Sequence, residues 1–137
     1  MTQETKLNLM QLASEARKKS YSPYSQFSVG CALLAKDGSI FCGCNIENST
    51  YTPTICAERV ALFKAISEGV REFEGIAITG GKENSLGEIC PPCGVCRQAL
   101  REFCSDDFEI ILGNNEQIQT FTLAQLLPLS FDKNNLK

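Results

Sequence analysis

Three cysteines and one glutamate, carried by two short stretches, could bind a metal ion and use it. Cys56-Ala57-Glu58-Arg59 opens one strongly apolar helical segment, and Pro92-Cys93-Gly94-Val95-Cys96-Arg97-Gln98 opens the next. Cys93 and Cys96, three apart, fall on one face of a helix and can grip a single ion. Side chains of a first turn reach into the space before the helix end, where free N–H groups and the positive dipole end stabilise thiolates. Structural zinc is usually closed by four protein ligands, whereas catalytic zinc keeps three and leaves the fourth position for water. Three thiols with a carboxylate two residues beyond one of them therefore read as an open, catalytic zinc site. Three thiolates on Zn²⁺ leave a net charge of about −1, which the two helix ends offset. Arg59, one turn beyond Cys56, can also donate to thiolate sulfur and draw charge off the metal.

The chain contains no histidine. That removes a His metal ligand, a Ser-His-Asp triad, a Cys-His nucleophile pair and an imidazole base. Proton transfer near neutral pH then falls to a carboxylate with a tuned pKa, and Glu58 is the best placed. A Cys₃ zinc site with a glutamate just after its first ligand, followed by P-C-x-x-C, is the arrangement of the zinc deaminases.

On those two stretches, the sequence closely resembles the homotetrameric zinc-dependent cytidine deaminases, and the likeness runs from about Tyr21 to Phe131. The resemblance implies hydrolysis of cytidine or deoxycytidine to the uracil nucleoside and ammonia, with Glu58 as proton shuttle. It also implies that Asn45 and Glu47 hold the ribose, that Phe27 packs against the pyrimidine ring and that Ala57 belongs to the substrate pocket. The segment Leu126-Leu127-Pro128-Leu129-Ser130-Phe131 matches a family segment whose aromatic reaches a neighbouring chain's pocket. That nominates Phe131. Taken without the resemblance, Phe27 and Phe131 would be ordinary packing residues and Asn45 and Glu47 part of a solvated turn.

The elements that must position these residues can be read from periodicity. Leu7, Leu9, Met10, Leu12, Ala13 and Ala16 fit an amphipathic first helix, ended by Ser22-Pro23. Phe27 to Ala35 is apolar on both parities, as for a strand buried on two sides, and Lys36-Asp37-Gly38 marks a hairpin into a strand from Ser39 to about Ile46. The helix from Cys56 to about Glu68 is apolar nearly all round. A strand over Glu74–Gly80 precedes an exposed loop over Gly80–Gly87, then a helix from Cys93 to about Cys104 and a strand over Phe108–Leu112. Gly113 to Glu116 is too short to cross a sheet, so Gln117–Phe121 must pair antiparallel. Thr122-Leu123-Ala124-Gln125 is a capping box for a short helix, and the tail from Asp132 reads as frayed. The order αββαβαββα predicts a three-layer α/β/α fold with a mixed five-stranded sheet, cytidine deaminase-like, with ligand segments at strand ends.

Composition sets the bounds. With 137 residues and 43% of them hydrophobic, residues 1–137 read as a single domain with enough core to fold. No apolar run approaches a membrane span and Met1–Lys19 lacks a signal-peptide core, so a cytoplasmic location is expected. Eight cysteines without an export signal read as reduced thiols, Cys31, Cys42, Cys44 and Cys104 among them as small buried hydrophobes. A net charge of −3 with no clustered basic face argues against a nucleic-acid partner. The one basic run, Arg17-Lys18-Lys19, reads as a solvated helix end that suits the dipole.

Two rivals define what would overturn this reading. Cys90 makes a C-x-x-C-x-x-C run with Cys93 and Cys96, and with Cys56 it could close a structural Cys₄ knot. Pro91-Pro92 would instead hold Cys90 in an extended stretch directed away from the helix end. An iron–sulfur run would need a cysteine where Leu100 stands. Among enzymes, the rival is a deaminase of a related aminated pyrimidine, such as blasticidin S or a deoxycytidylate. A carboxylate at position 47 would repel a nearby phosphate, which favours the free nucleoside.

Overall fold

A computed structural model describes residues 1–137. Its elements are α1 (Gln3–Arg17), β1 (Phe27–Ala35), β2 (Ile40–Cys44), α2 (Ala57–Ser67), β3 (Phe73–Lys82), α3 (Gly94–Phe103), β4 (Glu109–Gly113), β5 (Ile118–Thr122) and α4 (Leu123–Leu126), with a final 3₁₀ turn over Lys133–Leu136. The sheet runs β2-β1-β3-β4-β5. Only β3 and β4 are parallel, and α3 makes the crossover between them. β5 returns antiparallel to β4, as the short Gly113–Glu116 connection requires.

Strand parity divides the core in two. Cys31, Leu33 and Ala35 of β1 face α2 and α3, together with Phe41, Ile76, Ile78, Ile110 and Leu112. Ala32 and Leu34, the alternating positions, face Leu9, Met10 and Ala13 of α1 with Ala77 and Ile111. The result is the expected three-layer α/β/α arrangement. Gly43 sets how closely α2 can approach, because a Cβ there would lie 2.4 Å from the Ala57 carbonyl oxygen. The start of α2, and with it the first metal-site segment, is thereby seated directly on β2.

Four local expectations need correction. Cys42 and Cys44 are only half-buried, unlike Cys31 and Cys104. β3 runs on to Lys82, so Gly80 and Gly81 are buried strand residues and the exposed loop begins only at Glu83. The tail is not frayed: Asp132 caps the 3₁₀ turn through the Asn134 N–H, and the Asn135 side chain accepts from the Asp132 N–H. Arg17 is not a solvated helix end either, being only 8% exposed. Its aliphatic stem and fork are enclosed by polar backbone, a pairing that charge patterning alone does not disclose.

Candidate metal centre and active site

Cys56 is the N-cap of α2 and Cys93 the N-cap of α3, both with extended backbone and neither using its side chain to cap. Their sulfurs are thus free to point outward from two helix ends. Cys96 lies one turn into α3 and is fully buried. The three sulfur atoms all lie within 4.8 Å of one another, and Cys56 Sγ is 3.7 Å from Cys93 Sγ. With Zn–S bonds of about 2.3 Å, the edge of a tetrahedron is about 3.8 Å. The donor set therefore fits zinc in both chemistry and spacing. Cys90 does not belong to this group. It packs under β3 instead, where a Cβ on Gly80 would lie 2.8 Å from its sulfur, and burial pushes its thiol up to about 11.

Electrostatics at the Cys56 sulfur favour thiolate. The neighbouring Cys96 sulfur, with Arg59 and Cys93, holds the Cys56 thiol down to about 5. Cys96, set against the Cys56 sulfur and buried besides, is raised. A divalent cation held by the three sulfurs would take the place of their protons. Arg59 Nη2 donates to Cys56 Sγ at 3.5 Å, which in turn raises the guanidinium's own pKa.

Glu58 is 4% exposed in the first turn of α2. Burial pushes its carboxyl up to about 7, and the neighbouring Cys56 adds to the rise. Ala57 before it is completely buried, and its carbonyl accepts the Cys31 thiol at 3.2 Å. A carboxylate that can gain and lose a proton near neutrality thus stands two residues from the Cys56 sulfur.

Asn45 and Glu47 lie just beyond β2 and brace the segment that carries Phe27. Asn45 Nδ2 donates to the Phe27 carbonyl at 2.9 Å, while its Oδ1 accepts the Val29 N–H at 2.9 Å. Glu47 Oε1 accepts the N–H groups of Tyr24 and Ser25 at 3.0 and 3.2 Å, and its Oε2 accepts the Ser25 hydroxyl. Ser25 Oγ also accepts the Phe27 N–H at 3.1 Å. Gln26 between them takes a left-handed backbone, with φ 58°, a conformation that costs a non-glycine residue about 1 kcal/mol or more. Phe27 itself is half-buried at the start of β1.

Comparison with known proteins agrees with this geometry. The family model for the cytidine and deoxycytidylate deaminase zinc-binding region matches residues 3–112. The chain belongs to that family. It is 48% identical to the cytidine deaminase of Sporosarcina psychrophila over 90% of this chain and 89% of that one. The cytidine deaminase of Halalkalibacterium halodurans is likewise 48% identical, over 90% and 91% of the two chains. Among solved structures, that of the cytidine deaminase from Burkholderia pseudomallei superposes with a TM-score of 0.83 at 40% identity, covering 96% of this chain and all of that one.

Within this deaminase fold, two residues outside the expected site tie its pieces together. Arg97 Nε donates to the Pro92 carbonyl at 2.7 Å and its Nη1 to the Leu126 carbonyl, which joins the approach to Cys93 with the end of α4. Gln98 Nε2 donates to the Phe131 carbonyl at 2.9 Å, anchoring the C-terminal segment on α3. The Phe131 side chain is 60% exposed. The bonds to Leu126 and Phe131 run to backbone carbonyls far along the chain, for which a sequence pattern carries no signal.

Proposed function

We propose that this protein hydrolyses cytidine and deoxycytidine, releasing ammonia and the corresponding uracil nucleoside, a reaction suited to pyrimidine salvage in the cytoplasm. The observation that carries the reading is the buried Glu58 carboxyl beside three converging thiols. In this reading Cys56, Cys93 and Cys96 are the zinc ligands. Held by those residues, zinc would supply Lewis acidity and would make a water more acidic. Glu58 accepts a proton from the attacking water and delivers it to the ring N3, then takes the remaining proton of the added hydroxyl and delivers it to the departing amine. Glu58 combines burial with a pKa near neutrality, and the chain has no histidine to substitute. Arg59 withdraws charge from Cys56, leaving the site more electrophilic.

The sugar side is argued from donors and acceptors still free. An amide nitrogen carries two hydrogens and a carboxylate about four lone-pair sites, so Asn45 and Glu47 each retain capacity after bracing residues 24–29. Those free positions suit ribose hydroxyls. Phe27, fixed by the same bonds, offers its ring to the pyrimidine, with Ala57 lining the pocket. Neighbouring chains complete the site in a homotetramer. Phe63 at 47% exposure, Val95 at 61% and Phe131 at 60% leave apolar surface near α2 and α3 that association would cover. No helix is long and apolar enough to cross a membrane, and no basic groove for nucleic acid is proposed. Residues 1–137 act as one domain in this scheme.

The test is direct. Zinc-loaded protein with cytidine should yield uridine and ammonia in equal amounts, followed by loss of the cytidine absorbance and an ammonia assay. Failure to convert either cytidine or deoxycytidine would refute the proposal.

A further inference from the structure

The guanidinium of Arg17 sits far from the metal-binding sulfurs in sequence and on the opposite side of the sheet from α2, yet it is one of few buried charges. Arg17 Nε donates to the carbonyl and to the hydroxyl of Ser28, each at 3.0 Å. Nη1 donates to the Ser85 carbonyl at 2.8 Å, and Nη2 to the Lys82 carbonyl at 2.7 Å and the Ser85 hydroxyl at 2.9 Å. Gly87, with φ +93°, leaves room for it, since a Cβ there would lie 3.1 Å from Nη1. Three chain segments therefore converge on one planar fork: the end of α1, the start of β1, and the loop that leaves β3.

Each of those segments leads into the site. Ser28 is next to Phe27, and Phe27 pairs with Lys82 at the last rung of the β1–β3 ladder. The Glu83 N–H donates to the Gln26 carbonyl at 3.1 Å, and the Ser22 hydroxyl to Glu83 Oε1 at 3.2 Å, so the loop after β3 and the loop before Phe27 form one wall. Beyond Gly87 the same loop returns through the Glu88 N–H on the Gly80 carbonyl and Cys90 on Gly80, and reaches Pro92 and Cys93.

We propose that Arg17 is a positioning residue of the deaminase site: its fork locks the Phe27 segment and the β3–α3 loop in mutual register, and so sets substrate affinity without touching substrate. This rests on the reading that Phe27 meets the pyrimidine ring. Lysine cannot replace the fork, because one ammonium cannot span carbonyls at Ser28, Lys82 and Ser85 at once. An arginine serving stability alone would change the melting temperature and leave KM untouched well below it.

The test uses zinc-loaded wild-type protein, Arg17→Lys and the double variant Ser28→Ala/Ser85→Ala, with cytidine as substrate and uridine as competitive ligand, far below each melting temperature. Arg17→Lys should raise KM for cytidine and Ki for uridine together by about tenfold, with kcat within about threefold and zinc content unchanged. The double variant keeps the guanidinium and its carbonyl partners and should raise both constants by about threefold, which maintains the test if Arg17→Lys does not fold. Methylguanidinium added to Arg17→Ala should bring KM back toward the wild-type value. Wild-type KM in folded Arg17→Lys, or in the double variant, would overturn the proposal. Absence of deamination by the wild-type protein would instead strike at the function itself.

Discussion

Cys56 Sγ and Cys93 Sγ stand 3.7 Å apart although 37 positions separate them in the chain. Neither helix alone could create that contact. Gly43 lets the first turn of α2 settle on β2, and the return of the β3–α3 loop brings the first turn of α3 beside it. Both sulfurs sit at N-caps, where the backbone has not yet entered the helix, and this frees them to converge.

Glu58→Gln removes the proton carrier while keeping the side chain's shape. The variant should retain its zinc and fold and lose about a thousandfold or more in kcat. Stopped-flow or steady-state kinetics with metal analysis on the same sample decide it, and near-wild-type turnover would remove Glu58 from the mechanism.

Arg59→Ala deletes the donor to Cys56 Sγ, so the thiolate keeps more charge and the bound metal becomes a weaker acid. A fall in kcat of about tenfold is expected, with faster zinc loss on dialysis against a chelator. Unchanged values for both would show that the bond at 3.5 Å carries no function.

If Asn45 and Glu47 hold sugar hydroxyls, free cytosine and cytidine monophosphate should each show kcat/KM about tenfold or more below cytidine, the first for lack of hydroxyls and the second through repulsion. Equal values across the three would refute the assignment. Glu47 also has a pH signature. The Ser25 hydroxyl, assisted by the Ser25 and Tyr24 N–H groups, holds its carboxyl below the ordinary 4.5. A lowered folded-state value contributes stability that is present above the ordinary value and lost as pH falls through the lowered one. The melting-temperature gap between wild type and Glu47→Gln should therefore shrink as pH drops below 4.5.

Phe131→Ala should raise KM several-fold, on the order of the loss of one aromatic contact, with zinc content unchanged. Mixed with Glu58→Gln chains and allowed to reassemble, it should regain a low KM, because sites with an intact Glu58 would then receive Phe131 from a neighbour. A fully active monomer by light scattering at assay concentration would contradict the shared site.

Most of this architecture is legible in residue order, for physical reasons that differ by element. β1 is buried on both faces, so its run Phe27–Ala35, apolar at both parities, marks it at both ends. The β4–β5 pairing is dictated by a connection too short for anything else, and the Thr122–Gln125 capping box announces α4. The trio Cys56, Cys93 and Cys96 is equally plain, because cysteine spacing at helix starts is a local signal. Arg17 is not legible in this way. Its role depends on carbonyls of Ser28, Lys82 and Ser85, and a backbone acceptor has no residue-type signature. The same holds for Asn45 and Glu47: strand parity places them together, but only the fold shows both bracing the Phe27 segment.

Whether the metal site is open decides between catalysis and a purely structural role. X-ray absorption at the zinc edge of the loaded protein measures this most directly. Three sulfurs at about 2.3 Å with one oxygen at about 2.0 Å, and about one zinc per chain, are predicted. Four sulfurs around the zinc would make the site structural and contradict the proposed deaminase chemistry.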